Sequence, residues 1–210
     1  MFKSGMAVLF HRPPIDLDQS ALNIPNNLLF MVTSIKDGDP DFPHVQTYYD
    51  TLKYLGSLYF ELSKGFSPIL DLRIIVFFTF LPKEFVELAR QKRPRTLVIL
   101  AYYLTFVRLM RNGVWWMRNI SDREVISIYD ILGEEWQPLL RVPIMALSVD
   151  NKADLAKLIM ENDNWEPTKI EEWKIERDHE TRTLSMQGSQ LIGMLTSSVF
   201  QTRIDMDVKT

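Results

Sequence analysis

Between Arg93-Pro94-Arg95-Thr96 and Arg108 the chain reads Leu-Val-Ile-Leu-Ala-Tyr-Tyr-Leu-Thr-Phe-Val, an apolar run with no polar face. A helix apolar all round has to be buried on every side. This segment is therefore expected to be the central element of the fold, and the rest of the chain has to cover it. Pro94 suits a first helical position and Gly113 a left-handed residue at the end, so the run predicts a helix over residues 94–112. A second apolar segment, residues 72–81, precedes it across a charged connector, and a Trp115–Trp116 pair follows. Both runs are shorter than the roughly 20 residues a membrane-spanning helix needs. Arg73 and Thr79 interrupt one and Arg108 the other, so no membrane span is expected.

The covering elements also read as helices. Val45, Tyr48, Tyr49, Leu52, Leu55, Leu58, Tyr59 and Leu62 recur at helical spacing and predict an amphipathic helix over residues 44–64, with Gly65 at its end. Ser67-Pro68 reads as an N-cap followed by a first-turn proline, opening a helix that stops at Leu81-Pro82. Pro82 opens another over residues 83–92, with Phe85, Leu88 and Ala89 inward. Ser121 and Glu124 match a capping box and predict a helix start at Ser121, with Gly133 closing that helix. Trp136, Leu139 and Leu140 form a short turn before Pro143. A last helix is expected over residues 151–161, capped by Asp150. Residues 12–27 and the Asp37-Gly38-Asp39-Pro40-Asp41 stretch read as linker and loop. Residues 1–10 read as a helix end. The expected fold is all-α, a multi-helix domain over residues 1–161 around the buried central helix. Residues 162–210 read as a charged, irregular tail.

Composition narrows the function classes. The 210 residues carry a formal net charge of −3 and no cysteine. The charge gives no basic face for broad attraction to DNA, and without cysteine no thiolate metal site can form. His11, His44 and His179 are scattered without metal-ligand spacing, and Asp178-His179-Glu180 reads as part of a solvated run. No serine sits in a nucleophile elbow and no glycine-rich loop follows a strand. Asp71 reads as a first-turn residue favoured by the helix dipole, and Arg73 and Arg108 as side chains that snorkel or pair with an acidic neighbour. The pattern implies no catalytic group, no cofactor and no metal. The aromatic set at the end of the central helix is different in kind. Tyr102, Tyr103, Phe106, Trp115 and Trp116 either pack the core or line a pocket for a flat apolar ligand. The second alternative puts Leu100, Tyr103, Leu104, Val107, Trp115 and Trp116 around that ligand.

Arg93-Pro94-Arg95-Thr96-Leu97-Val98-Ile99-Leu100-Ala101-Tyr102-Tyr103 resembles the signature of the regulatory domain of fungal zinc binuclear cluster transcription factors. It is most similar to the sterol uptake control group. Phe78-Thr79-Phe80-Leu81-Pro82, Glu84-Phe85-Val86-Glu87-Leu88, Trp115-Trp116 and Leu132-Gly133-Glu134-Glu135-Trp136 follow in the same order as in that family, and Tyr48-Tyr49-Asp50-Thr51-Leu52 fits its upstream helix. The resemblance implies an all-helical regulatory domain of a nuclear protein that shuttles with the cytoplasm. It implies homo- or heterodimers with related factors and, in the sterol-responsive members, ergosterol in an apolar pocket. Two departures stand out. The family's six-cysteine DNA-binding module is missing from these residues, which implies either an N-terminally truncated relative or a cysteine-free one acting only through protein or ligand contacts, in both cases without direct DNA contact by these residues. Met117-Arg118-Asn119-Ile120 also stands where the family carries glycine and tryptophan. A ligand-free helical scaffold for protein contact or dimerisation is the alternative reading of the same residues.

Overall fold

The computed structural model describes residues 14–110 and 115–167, with side chains up to Met110 and again from Ile120. Among these residues the fold is all-α, with no strand. In chain order the helices are α1 (Leu17–Ala21), α2 (Asn26–Thr33), α3 (Val45–Ser63), α4 (Pro68–Val76), α5 (Lys83–Arg90), α6 (Pro94–Leu109), α7 (Trp115–Ile131), α8 (Arg141–Ala146) and α9 (Lys152–Met160). Single 3₁₀ turns at Phe42–His44, Phe77–Phe80 and Gln137–Leu140 lead into or extend their neighbours.

The apolar run forms α6, and it is central as its composition demands. Every residue from 96 to 109 except Leu100 is buried. Helices α2, α3, α4, α5, α7, α8 and α9 all pack against it. The amphipathic stripe of α3 lies beneath it, with Tyr48, Leu52, Leu55, Leu58 and Leu62 closed from solvent. Gly65, at φ +105°, turns the chain out of α3. Ser67 then caps α4 by accepting from the Leu70 amide at 3.2 Å, and Pro68 takes the first turn. Phe85, Leu88 and Ala89 face the core from α5.

Several local expectations change. Residues 12–27 include α1, which a linker reading misses because five residues show no period. Its start is fixed by Asp16, whose carboxylate accepts from the Asp18 and Gln19 amides. Ser121 is not an N-cap. It lies buried inside α7, which has begun by Trp115. A serine–glutamate pair three residues apart also suits a helix interior when no proline or glycine interrupts the preceding turn. Pro143 follows the expected turn, a 3₁₀ turn over Gln137–Leu140, and sits in the first turn of α8, where its missing N–H costs nothing. The cap of α9 is Asn151, not Asp150; its side chain accepts from the Ala153 and Asp154 amides at 2.8 and 3.1 Å.

Helix α6 ends at Leu109, and Gly113 lies outside the described residues, as do residues 1–10. Past residue 161, the ring of Trp165 is buried against Phe66 and its Nε1 donates to the Leu62 carbonyl at 3.2 Å. The packed unit thus reaches Trp165, and residues 168–210 lie outside the described residues.

Candidate functional site

Of the aromatic residues singled out from sequence, Tyr102, Tyr103 and Phe106 divide between two faces of α6. Leu100, Tyr103, Leu104 and Val107 fall at i, i+3, i+4 and i+7 and share one face. Leu100 is half-buried and the other three are buried. On this face the Tyr103 ring stacks on Phe77 with centroids 4.4 Å apart and meets Phe78 edge-on at 5.0 Å. Its hydroxyl donates to the Ile74 carbonyl at 3.0 Å, near the point where α4 gives way to the 3₁₀ turn. Burial alone drives the Tyr103 phenol well above its ordinary pKa. The phenol is thus an internal strut between α6 and α4. Trp115 and Trp116 begin α7, and their side chains lie outside the described residues.

On another face, Asn27 Nδ2 donates to the Tyr102 hydroxyl at 2.5 Å, tying α2 to α6. Burial pushes the Tyr102 phenol up to about 12, with the Asn27 bond working against the rise. Phe106 meets Tyr59 of α3 edge-on at 4.9 Å. Edge-to-face and offset-stacked pairs of this kind add roughly 0.5–1.5 kcal/mol each beyond the area they bury.

The charged half of the signature has its own task. Arg95, in the first turn of α6, donates from Nη2 to Asp39 at 2.8 Å, from Nη1 to Asp41 at 2.7 Å and from Nε to the Met31 carbonyl at 3.3 Å. Its guanidinium also lies 5.4 Å from the centre of the Trp136 ring. Arg93 Nη1 sits 3.3 Å from the other oxygen of Asp41. One turn of basic residues therefore holds the end of α2, the loop before α3 and the Trp136 turn against the start of α6. The Asp41 amide donates to the Asp39 carboxylate, and together with Arg95 this holds that carboxyl below its usual range, against the opposing effect of desolvation. Sequence reading missed this clamp because its partners are 54 and 56 residues away. The run of alternating aspartates in a loop, set against Arg-Pro-Arg, was the one available signal.

Both arginines of the apolar segments pair rather than snorkel. Arg73 Nη2 lies 3.3 Å from Glu61, both buried between α4 and α3. Arg108 pairs with Asp122 of α7 and donates to the carbonyls of Leu147 and Val149 beyond α8. Asp71 sits in the first turn of α4 as expected, with its carboxyl pushed up by burial. His44 Nδ1 is 2.7 Å from Glu84, and no group of three metal-ligating side chains occurs among the described residues.

Compared with known proteins, the chain is 33% identical over 73 residues to a Zn(2)-C6 fungal-type transcription factor from Gibberella zeae. That stretch is 34% of this chain and 15% of the relative. No family model matches the chain, and no solved structure matches it.

Proposed function

We propose that this chain is a transcription-regulatory module of the fungal zinc-cluster type, acting in the nucleus through ligand or protein contacts and not through DNA. The similarity to a Zn(2)-C6 factor carries this reading. It is supported by the way the Arg93-Pro94-Arg95 signature is spent on holding the helical body together. With no cysteine in its 210 residues, the chain supplies none of the thiolates that a zinc cluster needs. Its contribution to transcription would then be regulatory, as a homodimer or joined to a related factor.

In the finer form of the proposal, the α6 face of Leu100, Tyr103, Leu104 and Val107, with Trp115 and Trp116, receives an apolar molecule of the sterol class. Titration with ergosterol, followed by tryptophan fluorescence, tests it. A saturable change that is lost on Tyr103→Ala but kept on Ile126→Ala supports the sensor. No saturable change removes it.

One observation favours the scaffold alternative. The Tyr103 hydroxyl is already paired with the Ile74 carbonyl and its ring is covered by Phe77 and Phe78. A scaffold of this kind would leave ergosterol unbound and still sediment as a dimer, alone or mixed with a related factor.

A further inference from the structure

We infer that the seat of Trp165 at the end of α3 takes the tryptophan of a second copy of this chain, so that two copies pair by exchanging the segment that follows α9. This pairing rests on the homodimer reading above and supplies the segment that makes it. The seat is built from elements that precede the segment. Leu62, in the last turn of α3, offers its carbonyl to the indole N–H at 3.2 Å, and Phe66, between α3 and α4, meets the ring edge-on with centroids 5.4 Å apart. Both belong to the packed body, so every copy presents the same seat to any tryptophan that reaches it. Trp165 is 5% exposed, whereas residues 161–164 before it and Glu166 after it are exposed. One buried aromatic in an otherwise solvated stretch is a single anchor, the arrangement in which one side chain carries most of a contact's energy.

A strained hinge holds the anchor in its own copy. Glu161 ends α9 at φ +48° and ψ +39°, a left-handed conformation that disfavours a β-carbon. Gly65 turns the chain after α3 without one. The other bonds of the stretch are local: the Asn162 amide donates to the Lys157 carbonyl and the Trp165 amide to the Asn162 carbonyl, each at 3.0 Å. Glu161 also pairs with Arg141 at 2.8 Å, but both side chains are half exposed or more, and such a pair adds little. Opening the hinge lets Glu161 leave the left-handed region, and Trp165 regains in the second copy the bond and ring contact it gives up in the first. The exchange is then close to balanced, the condition that makes domain swapping a low-cost route to a dimer. Trp165 lies four residues past Glu161, so an opened hinge carries it at most about 14 Å. The α9 end of one copy must therefore lie beside the α3 end of the other, and a two-fold axis makes that relation reciprocal.

Sedimentation velocity over a concentration series measures the pairing, and variants of Glu161 test the hinge without touching the seat. Glu161→Gly and Glu161→Val both lose the Arg141 pair, so the contrast between them isolates the backbone. Glycine fits the closed hinge and a β-branched residue does not, so Glu161→Gly should have a dimer dissociation constant about tenfold or more above that of Glu161→Val. Equal constants overturn the exchange. The contact itself is read on the wild-type chain, with isotope-labelled and unlabelled copies unfolded in urea and refolded together. Isotope-filtered nuclear Overhauser spectra of the mixture should place the Trp165 ring of one copy against Phe66 of the other. A dimer that shows this contact only within one chain overturns the exchange and leaves the homodimer reading standing. A chain that stays monomeric at every concentration removes both.

Discussion

A β-carbon added at Gly56 would overlap the carbonyl oxygen of Ser20 and press on Ile24, because α1 crosses α3 at that point. Gly56→Ala should therefore destabilise the protein by about 1–3 kcal/mol, the usual cost of overpacking a fixed contact. Urea unfolding would register it as a lower midpoint at unchanged slope. Lys92 presents the opposite case. It ends α5 at φ +55°, a left-handed position normally given to glycine, while the Lys92 and Arg93 amides close back onto Ala89 and Leu88. Lys92→Gly should raise the unfolding midpoint, by up to about 1 kcal/mol, since it removes a β-carbon from a conformation that disfavours one. A drop in stability on this change would mean that the lysine side chain does more than end a helix.

Between elements, the pairing of Glu61 with Arg73 sets α3 against α4. The two partners are not equivalent. Glu61 also receives Lys64 at 3.2 Å, whereas Arg73 keeps Nε and Nη1 buried without a bond. Glu61→Gln leaves a buried guanidinium without its counter-charge and should cost about 3 kcal/mol or more. Arg73→Met leaves a glutamate still paired with a lysine and should cost less. Equal losses in denaturant titrations would contradict that ordering.

Glu84 links α5 to α3 by accepting from the Thr47 hydroxyl and contacting His44, and those bonds, Thr47's first, lower its carboxyl pKa despite some desolvation. A carboxyl depressed in the folded state contributes stability above its unfolded value and loses it as the pH falls through the folded one. Glu84→Gln should therefore flatten the acid limb of stability below about pH 5, the range where an unperturbed glutamate titrates. An acid limb identical to that of the wild type would remove Glu84 from this role.

Elements governed by local rules could be read from the sequence. The stripe of α3, the Ser67-Pro68 start of α4, and the burial of α6 each follow from a handful of adjacent residues. Features set by contacts distant in sequence could not. Helix α1 exists because Gly56 admits it, Ser121 is buried because α7 begins upstream, and the clamp of Arg95 depends on aspartates more than fifty residues earlier. The aromatic residues illustrate the limit most clearly. Their presence on α6 was plain, but what covers Tyr103 is decided by Phe77 and Phe78, which arrive from the turn after α4.

Among the described residues, the helices pack around α6, and after α9 the chain returns to the end of α3. Trp165 makes that return, buried between Phe66 and the last turn of α3. Trp165→Ala should cost about 3–5 kcal/mol, the range for deleting a large buried aromatic. A thermal-melt shift of only a degree or two would place the ring outside the cooperative unit. The contact joins residues 103 positions apart. During synthesis, which delivers a chain from its N-terminus onward, all nine described helices emerge before Trp165 can cover the end of α3. The nascent protein must therefore wait for Trp165 before it can complete its core. Any partner that reaches the ribosome earlier meets a body whose seam has not yet shut.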